Sequence, residues 1–235
     1  MTRPARRARV LIAGGGIGGL TAAIALARRS IDSTVLERTH FAEESGAGIQ
    51  LGPNATRVLR ELGLLPAIEA MAFVPESLTI YDALTARVLA TMPLGRAVAE
   101  RYGAPYLTLH RADLHAALLG ACRKLEAAEL REGFEVTEVE ALSGGVAARS
   151  GTGEETDGSC LIAADGLWSS VRRLVAPQAQ LRFARATAWR GLLPRDGLEL
   201  PFDQPQVGLW LGPSAHLVHY PVRGGKALNI VAVVE

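Results

Sequence analysis

The 235-residue sequence has little cysteine, few aromatic residues and no excess of either charge. Its two cysteines, Cys122 and Cys160, have no metal-ligand spacing and are typical of a reduced cytosolic protein. The 25 basic and 24 acidic residues nearly cancel, so neither a nucleic acid nor a membrane is expected as a partner. The five histidines form no zinc pattern, and no metal site is expected.

A long hydrophobic run is also missing, because no stretch reaches the ~20 apolar residues that a membrane span needs. The nearest is Val10–Ala27, eighteen residues without a charge that follow Arg3, Arg6, Arg7 and Arg9. A basic segment before an apolar run is also typical of a secretory signal peptide. Glycine is a poor helix former, however, and five glycines fall within this run. We therefore expect a cytoplasmic protein.

The same run indicates a dinucleotide site. Val10–Ala13 has the apolar character of a buried strand, and Gly14–Gly19 fits the pattern G-x-G-x-x-G at the start of a predicted helix. In this pattern Gly14 makes the tight turn, Gly16 lets the backbone approach a pyrophosphate, and Gly19 lets the helix lie close to the sheet. The free N–H groups at the start of a helix then favour phosphate.

An acidic residue follows at the end of the next predicted strand, Thr34–Leu36. Glu37 stands eighteen residues after Gly19, where an acidic side chain can accept hydrogen bonds from a ribose. The glycine pattern alone is weak evidence for such a site. With the strand, the helix and the acidic residue around it, the segment predicts a real dinucleotide site.

A second candidate site follows the apolar segment Cys160–Ala164, a predicted buried strand. Asp165 and Gly166 come at its carboxyl end, where ligands bind in α/β sheets. Asp165 can accept a hydrogen bond from a ribose hydroxyl or a backbone amide, and Gly166 permits a close approach. The alternative is that Asp165 caps the following helix, because Asp is a favoured N-cap residue.

These segments together resemble a known family. In chain order, GGGIGG with Glu37-Arg38, GAGIQLGPNATRVLRELG from Gly46, HRADLHAALL from His110 and ADGLWSSVR from Ala164 are similar to the class A flavoprotein aromatic hydroxylases. The similarity is greatest to the salicylate and 3-hydroxybenzoate hydroxylase branch, and it extends from about Val10 to the last residue.

The resemblance implies that the dinucleotide is FAD and that NAD(P)H is a transient co-substrate. Glu37 would bind the adenosine ribose, Arg111 the phosphate or ribityl region, and a backbone group near Val136 the adenine. The alternative for Arg111 is an exposed arginine at the start of a helix. Asp165 and Gly166 would serve both FAD and NAD(P)H. The residues assigned to the cofactor are Gly14, Gly16, Ile17, Gly18, Gly19, Glu37, Arg38, Gly48, Arg111, Val136, Asp165 and Gly166.

The implied reaction is hydroxylation of a small phenolic or hydroxy-heteroaromatic carboxylate with molecular oxygen. His216 and Tyr220 are the candidate catalytic residues, because they project from one face of a predicted strand and the family carries a His and a Tyr at this spacing. Imidazole suits the role of base for a phenol. Gln50 and Arg190 are further candidates for substrate contact. The alternative for His216 and Arg190 is a structural role.

The expected fold is α/β, with a Rossmann-like FAD-binding domain interleaved with a β-rich substrate domain. We predict residues 1–75 and 106–180 for the FAD-binding domain, and 76–105 and 181–235 for a partial substrate domain. The second flavin motif of the family, a Gly-Asp-Ala segment, is missing, so we expect an N-terminal portion that is truncated at its C-terminus. The run Leu228–Val234 would then be an unprotected edge strand, prone to pairing with another chain as in a homodimer.

Two other functions stay open. The chain could be a shortened flavin-binding remnant without catalytic activity, because the second flavin motif is missing. It could also be a nicotinamide-dependent dehydrogenase, although no Tyr-x-x-x-Lys pair follows the glycine pattern and Asp165-Gly166 has no role in such enzymes.

Overall fold

The structure, a computed structural model, describes residues 9–41 and 47–235. Arg3, Arg6 and Arg7, considered above as part of a signal peptide, lie outside the described residues, as does Gly46 of the second family-like segment. Among the helices that the structure describes, none is both long enough and apolar enough to cross a membrane.

Strands and helices alternate early in the chain, and strands dominate its last third. The strands are β1 Val10–Ala13, β2 Ser33–Leu36, β3 Gly48–Leu51, β4 Ser77–Asp82, β5 Val88–Pro93, β6 Leu107–His110, β7 Ala128–Arg131, β8 Val136–Leu142, β9 Gly145–Ser150, β10 Glu155–Gly158, β11 Cys160–Ala163, β12 Thr187–Pro194, β13 Gln206–Gly212, β14 Ala215–Val222 and β15 Ala227–Val234. The helices are α1 Ile17–Ala27, α2 Pro53–Glu61, α3 Leu65–Glu69, α4 Gly95–Tyr102, α5 Arg111–Cys122 and α6 Ser170–Val175.

The chain divides into two compact units. The first comprises Met1–Glu44 with His115–Leu181, and the second comprises Ser45–Leu114 with Arg182–Glu235. These boundaries differ from the predicted ones, because β3 and β6 lie in the second unit. There β3 pairs with β6, and the Thr108 hydroxyl donates to the Pro221 carbonyl at 2.5 Å. The assignment of FAD and substrate to separate domains stays a prediction.

The first unit contains a parallel sheet in the order β11-β1-β2-β7. Every residue of β1 and β2 is buried, as is typical of parallel strands covered on both faces. Ala13, the last residue of β1, is in register with Leu36 of β2 and Ala163 of β11. The residues that follow these three strands, among them Gly14 and Glu37, therefore come at the same edge of the sheet.

A second, antiparallel sheet of the first unit has the order β10-β9-β8. In this sheet β9 pairs with β8 on one side and β10 on the other, whereas β11 belongs to the parallel sheet. The two sheets and α6 share one hydrophobic core. Its buried residues are Leu11, Ala13, Leu36, Phe134, Val136, Ala148 and Val171.

The second unit contains a six-stranded sheet in the order β12-β15-β14-β13-β4-β5, together with the pair β3-β6. The neighbouring strands β4 and β5 pair in antiparallel fashion. The expectation that Leu228–Val234 forms an unprotected edge is wrong. This run lies within β15, which pairs along its length with β14 on one side and β12 on the other. The edges of this sheet are β12 and β5.

Candidate functional site

The turn between β1 and α1 is packed against backbone atoms. Gly14 has a φ of +102°, in the region that glycine adopts at no steric cost. A Cβ added to Gly14 would lie 2.4 Å from the Ala164 carbonyl oxygen, and one added to Gly19 would lie 1.9 Å from the Gly14 carbonyl oxygen. The turn itself therefore requires glycine at both positions.

Two other glycines of the turn face open space. A Cβ added to Gly16 or Gly18 would meet no heavy atom within 4 Å. Gly16 is the N-cap of α1, which begins at Ile17. In the described residues no side chain caps α1, and its first turn carries no acidic residue. Its first N–H groups and the positive end of its dipole are available to an anion, so these residues fit a pyrophosphate.

Glu37 holds the turn from the end of β2. Its Oε2 accepts a hydrogen bond from the Gly15 N–H at 2.7 Å. Its Oε1 accepts from the N–H and the hydroxyl of Thr39, each at 2.9 Å. A carboxylate offers about four lone-pair sites, so a ribose hydroxyl can still donate to Glu37. The predicted ribose contact is compatible with this geometry.

A cavity of about 110 Å³, open to solvent, lies at this turn. The cavity is lined by Gly15, Gly16, Glu37, Thr39, His40, Phe41 and His115. Two of the predicted cofactor residues, Gly16 and Glu37, thus face one cavity of the first unit.

Asp165 fixes the start of α6. Its carboxylate accepts hydrogen bonds from the Ser169 hydroxyl at 2.6 Å and from the Val171 N–H at 3.1 Å. Ser169 is the N-cap residue, and its hydroxyl accepts from the Arg172 N–H at 2.8 Å. Asp165 therefore shares the capping role that was its alternative interpretation. Gly166 has a φ of +77°, and the contact of this pair with FAD or NAD(P)H stays a prediction.

The remaining cofactor candidates have varied surroundings. Arg38 is exposed, next to Glu37. The Val136 side chain is buried in the core of the first unit, which leaves only its backbone for the predicted adenine contact. Arg111 is the first residue of α5 and belongs to the second unit, whereas the helix from His115 onward belongs to the first. The Arg111 N–H donates to the Ala47 carbonyl at 2.9 Å. Their cofactor roles stay predictions.

The second unit brings Gln50, Tyr106 and Tyr220 together. The Tyr106 hydroxyl donates to Gln50 Oε1, and Gln50 also hydrogen-bonds the Tyr220 side chain. Burial, and to a lesser extent the neighbouring Tyr220, raises the pKa of Tyr106 to about 12. Burial also raises the pKa of Tyr220, against the Gln50 hydrogen bond and the charge of Arg190, which lower it. Both phenols therefore keep their protons at neutral pH.

Gly48 serves the packing of this group. A Cβ added to Gly48 would lie 2.6 Å from Tyr220 Cε2 and 2.6 Å from Asn229 Cγ. The Gly48 N–H donates to Asn229 Oδ1 at 2.6 Å. Asn229 is fully buried, and its Nδ2 has no partner among the residues that the structure describes. Glycine lets β3 lie against β14 and β15, and contact of Gly48 with the cofactor stays a prediction.

His216 and Tyr220 lie on the same face of β14 but at different depths. On β15, Val233 is opposite His216 and Asn229 is opposite Tyr220. Tyr220 is 4% exposed, whereas His216 is an exposed residue. Four residues along a strand separate their Cα atoms by about 13 Å. Tyr220 is therefore buried beside Gln50, whereas His216 lies on the solvent-exposed part of the same face.

Sequence analysis missed Tyr106, Asn229 and His115. Asn229 interrupts the apolar run of β15, and a polar residue in such a run must find a partner when buried. Tyr106 immediately precedes β6, and β6 pairs with β3, the strand that carries Gln50. His115 follows Leu114 within the largely apolar α5, and its sequence position carries no signal of a role, because only the structure shows that it is buried.

The sequence matches the FAD binding domain family over residues 7–223. It is 38% identical over 222 residues to 3-hydroxybenzoate 6-hydroxylase 1 of Aquipseudomonas alcaligenes, with 94% of this chain and 56% of that protein covered. It is 36% identical over 228 residues to 3-amino-4-hydroxybenzoate 2-monooxygenase PtnB3 of Streptomyces platensis, with 97% and 57% covered. The chain therefore spans little more than half the length of these relatives.

The fold is similar to that of Klebsiella pneumoniae HpxO complexed with FAD and uric acid. The TM-score is 0.84 at 26% identity, over 97% of this chain and 56% of that one. The predicted α/β fold and the predicted resemblance to the flavoprotein hydroxylases are confirmed. By its match over most of its length, by its relatives and by the form of its glycine turn, the chain belongs to the FAD binding domain family, with FAD as its cofactor.

Proposed function

We propose that the protein to which this chain belongs hydroxylates a small phenolic or hydroxy-heteroaromatic carboxylate, using FAD, NAD(P)H and molecular oxygen. The observation that carries the proposal is the open glycine turn at the start of α1, with Glu37 beside it. The substrate class is supported by the names of two relatives, which act on a hydroxybenzoate and an aminohydroxybenzoate.

In this proposal the first unit holds the nucleotide end of FAD. Gly14–Gly19 and the first turn of α1 bind the pyrophosphate, and Glu37 accepts from the ribose. Arg111 is assigned a phosphate contact, since its planar guanidinium suits one. When bound, FAD supplies the hydride-accepting and oxygen-activating chemistry. The residues of the chain bind it, orient it and exclude water.

Residues of the second unit are assigned to the aromatic substrate. Tyr220 donates a hydrogen bond to the substrate, because burial raises the pKa of Tyr220 and keeps it protonated. Gln50, which Tyr106 holds by a hydrogen bond, orients the Tyr220 hydroxyl. Arg190 suits a carboxylate. His216 is assigned as the base that accepts the phenol proton.

A Gly16→Ala substitution tests the cofactor site. The new methyl group would stand in the open space where the pyrophosphate binds, so we expect FAD affinity to fall by about tenfold or more. The protein itself has room for the methyl group, but alanine is a poorer N-cap residue than glycine, so the free energy of unfolding should fall by no more than about 1 kcal/mol.

Gly120→Ala on α5 is the matched control, because a Cβ there also meets no atom within 4 Å. It should bind FAD as the parent does. Flavin fluorescence titration measures both affinities. Equal FAD affinity of the two variants would remove Gly16 from the phosphate site.

A Tyr220→Phe substitution tests the substrate site. NAD(P)H oxidation is measured with added FAD and a panel of hydroxybenzoates, and the product is followed by chromatography. In the complete protein to which this chain belongs, we expect hydroxylated product from the parent and about tenfold slower product formation from the variant, since one hydrogen bond to the reacting ring is lost. From the 235-residue chain alone we expect no turnover. Tyr81→Phe is the control. Tyr81 is buried in the same sheet, but its hydroxyl accepts from Gln206.

The Tyr81 variant should form product at the parent's rate. Equal product formation by the Tyr220 and Tyr81 variants would place the substrate contact elsewhere. A parent protein that binds FAD but yields no product with any hydroxybenzoate would contradict the substrate class. The alternative of a flavin-binding protein without hydroxylase activity would then be favoured.

A further inference from the structure

A buried histidine on α5 contacts the glycine turn at one carbonyl group. The His115 side chain is 4% exposed, and its Nε2 lies 2.8 Å from the Gly15 carbonyl oxygen. A carbonyl oxygen only accepts hydrogen bonds, so Nε2 carries the proton and donates it. We propose that His115 is a positioning residue for FAD, which fixes the Gly15–Gly16 peptide in the orientation that the pyrophosphate requires. This inference rests on the proposed FAD site.

Gly15 is held from three sides. Its N–H donates to Glu37 Oε2 at 2.7 Å, and its carbonyl accepts from His115. A Cβ added to Gly15 would lie 2.2 Å from Cε1 of the Phe41 ring, so the ring lies directly against the backbone. Phe41 is itself 4% exposed. The ring limits translation of Gly15, and the two hydrogen bonds fix the directions of its polar groups.

The direction of the Gly15 carbonyl determines the direction of the next N–H group. A trans peptide is planar, so its C=O and its N–H point in opposite directions. Because His115 holds the Gly15 carbonyl, the Gly16 N–H is aimed away from the imidazole. Gly16 is the N-cap of α1, and a Cβ there would meet only open space. Without His115 this peptide can rotate, and binding of an anion at Gly16 must then restore its orientation.

The test compares three substitutions on α5. His115→Gln keeps an N–H donor at a reach similar to Nε2, and His115→Leu removes it. Cys122→Ala is the matched control, because Cys122 is also fully buried on α5 and its Sγ contacts the Leu20 carbonyl oxygen of α1 at 3.4 Å. The control removes a contact of α5 with α1 that lies at a distance from the turn.

Two measurements are made on each variant. Fluorescence titration gives the FAD dissociation constant, and amide hydrogen exchange without FAD gives the protection of residues 14–19. We expect His115→Leu to weaken FAD binding by about tenfold and to speed exchange in the turn, as the loss of one buried hydrogen bond implies. His115→Gln should stay within about threefold of the parent in FAD affinity, since most of that hydrogen bond is kept. Cys122→Ala should change neither the FAD dissociation constant nor the exchange rate of residues 14–19 by more than about threefold.

A parent that bound no FAD would overturn only the proposed function. The exchange data would still decide whether His115 holds the glycine turn. Faster exchange in residues 14–19 with His115→Leu than with Cys122→Ala supports the inference. Equal exchange in the His115→Leu and Cys122→Ala variants overturns the inference. An FAD affinity of His115→Gln as low as that of His115→Leu also overturns it. If the Leu variant does not fold, His115→Asn replaces it, because its shorter amide falls short of the Gly15 carbonyl.

Discussion

A Gly19→Ala variant is expected to lose about 3 kcal/mol of its free energy of unfolding, near the upper end of the usual cost of overpacking. The added Cβ would lie 1.9 Å from the Gly14 carbonyl oxygen and 3.3 Å from Ile12 Cγ2. The first of these atoms belongs to the backbone and cannot rotate away, so α1 must move off the end of β1. That movement also opens the turn at which FAD is proposed to bind.

Gly18→Ala provides the control at the adjacent position. A Cβ on Gly18 meets no atom within 4 Å, and alanine is the better helix former by up to about 1 kcal/mol. Gly18→Ala should therefore be at least as stable as the parent. Urea unfolding followed by circular dichroism gives both values. Two variants of equal stability would mean that α1 does not approach the turn as closely as the structure has it.

The glycine turn could be predicted from sequence because all its determinants are local. Val10–Ala13, Gly14–Gly19 and Glu37 lie within 28 consecutive residues, and the parallel pairing of β1 with β2 brings their ends to one edge. The turn type, the helix start and the acidic side chain each have a short-range signal. Asp165 was likewise placed after the strand that is β11, and its hydrogen bonds to Ser169 and Val171 correspond to the capping role that was its alternative interpretation.

The second unit was harder to predict because its contacts join distant parts of the chain. The hydrogen bond from Gly48 to Asn229 spans 181 residues, and the one from Thr108 to Pro221 spans 113. Local periodicity identifies strands, but it does not say which strands pair. For that reason the predicted boundary separated β3 and β6 from the sheet against which they lie. The same limitation made Leu228–Val234 look like an edge strand, although β12 pairs with it.

A buried histidine, His219, lies on the face of β14 opposite to Tyr220. His219 is 1% exposed, and neither ring nitrogen has a hydrogen-bond partner among the described residues. A Cβ on Gly208 would lie 1.9 Å from His219 Nε2, so the ring lies over Gly208 on the neighbouring strand. Its ring centroid is 4.8 Å from that of Phe202 and 6.3 Å from that of Trp210. This burial lowers the pKa of His219 to about 4.

Acid is therefore expected to destabilise the protein through His219. In the unfolded chain the imidazole binds a proton near its ordinary pKa of 6.5, whereas in the folded protein it does so only near 4. The unfolded state thus binds more protons between these two pH values. The free energy of unfolding keeps its full His219 contribution above pH 6.5 and loses it as the pH falls towards 4. The loss at pH 4.5 is on the order of 2–3 kcal/mol.

Urea unfolding at pH 7 and pH 4.5, followed by tryptophan fluorescence, tests this expectation in the parent, His219→Phe and His219→Leu. Both variants remove the titrating group. The Phe variant keeps a ring over Gly208, and the Leu variant keeps only an apolar side chain there. The two variants can differ in stability at pH 7. In both, the free energy of unfolding should fall less on acidification than in the parent, by on the order of 2–3 kcal/mol, because protonation and not ring shape is the cause. Variants that lose as much stability in acid as the parent would assign the acid sensitivity to other groups.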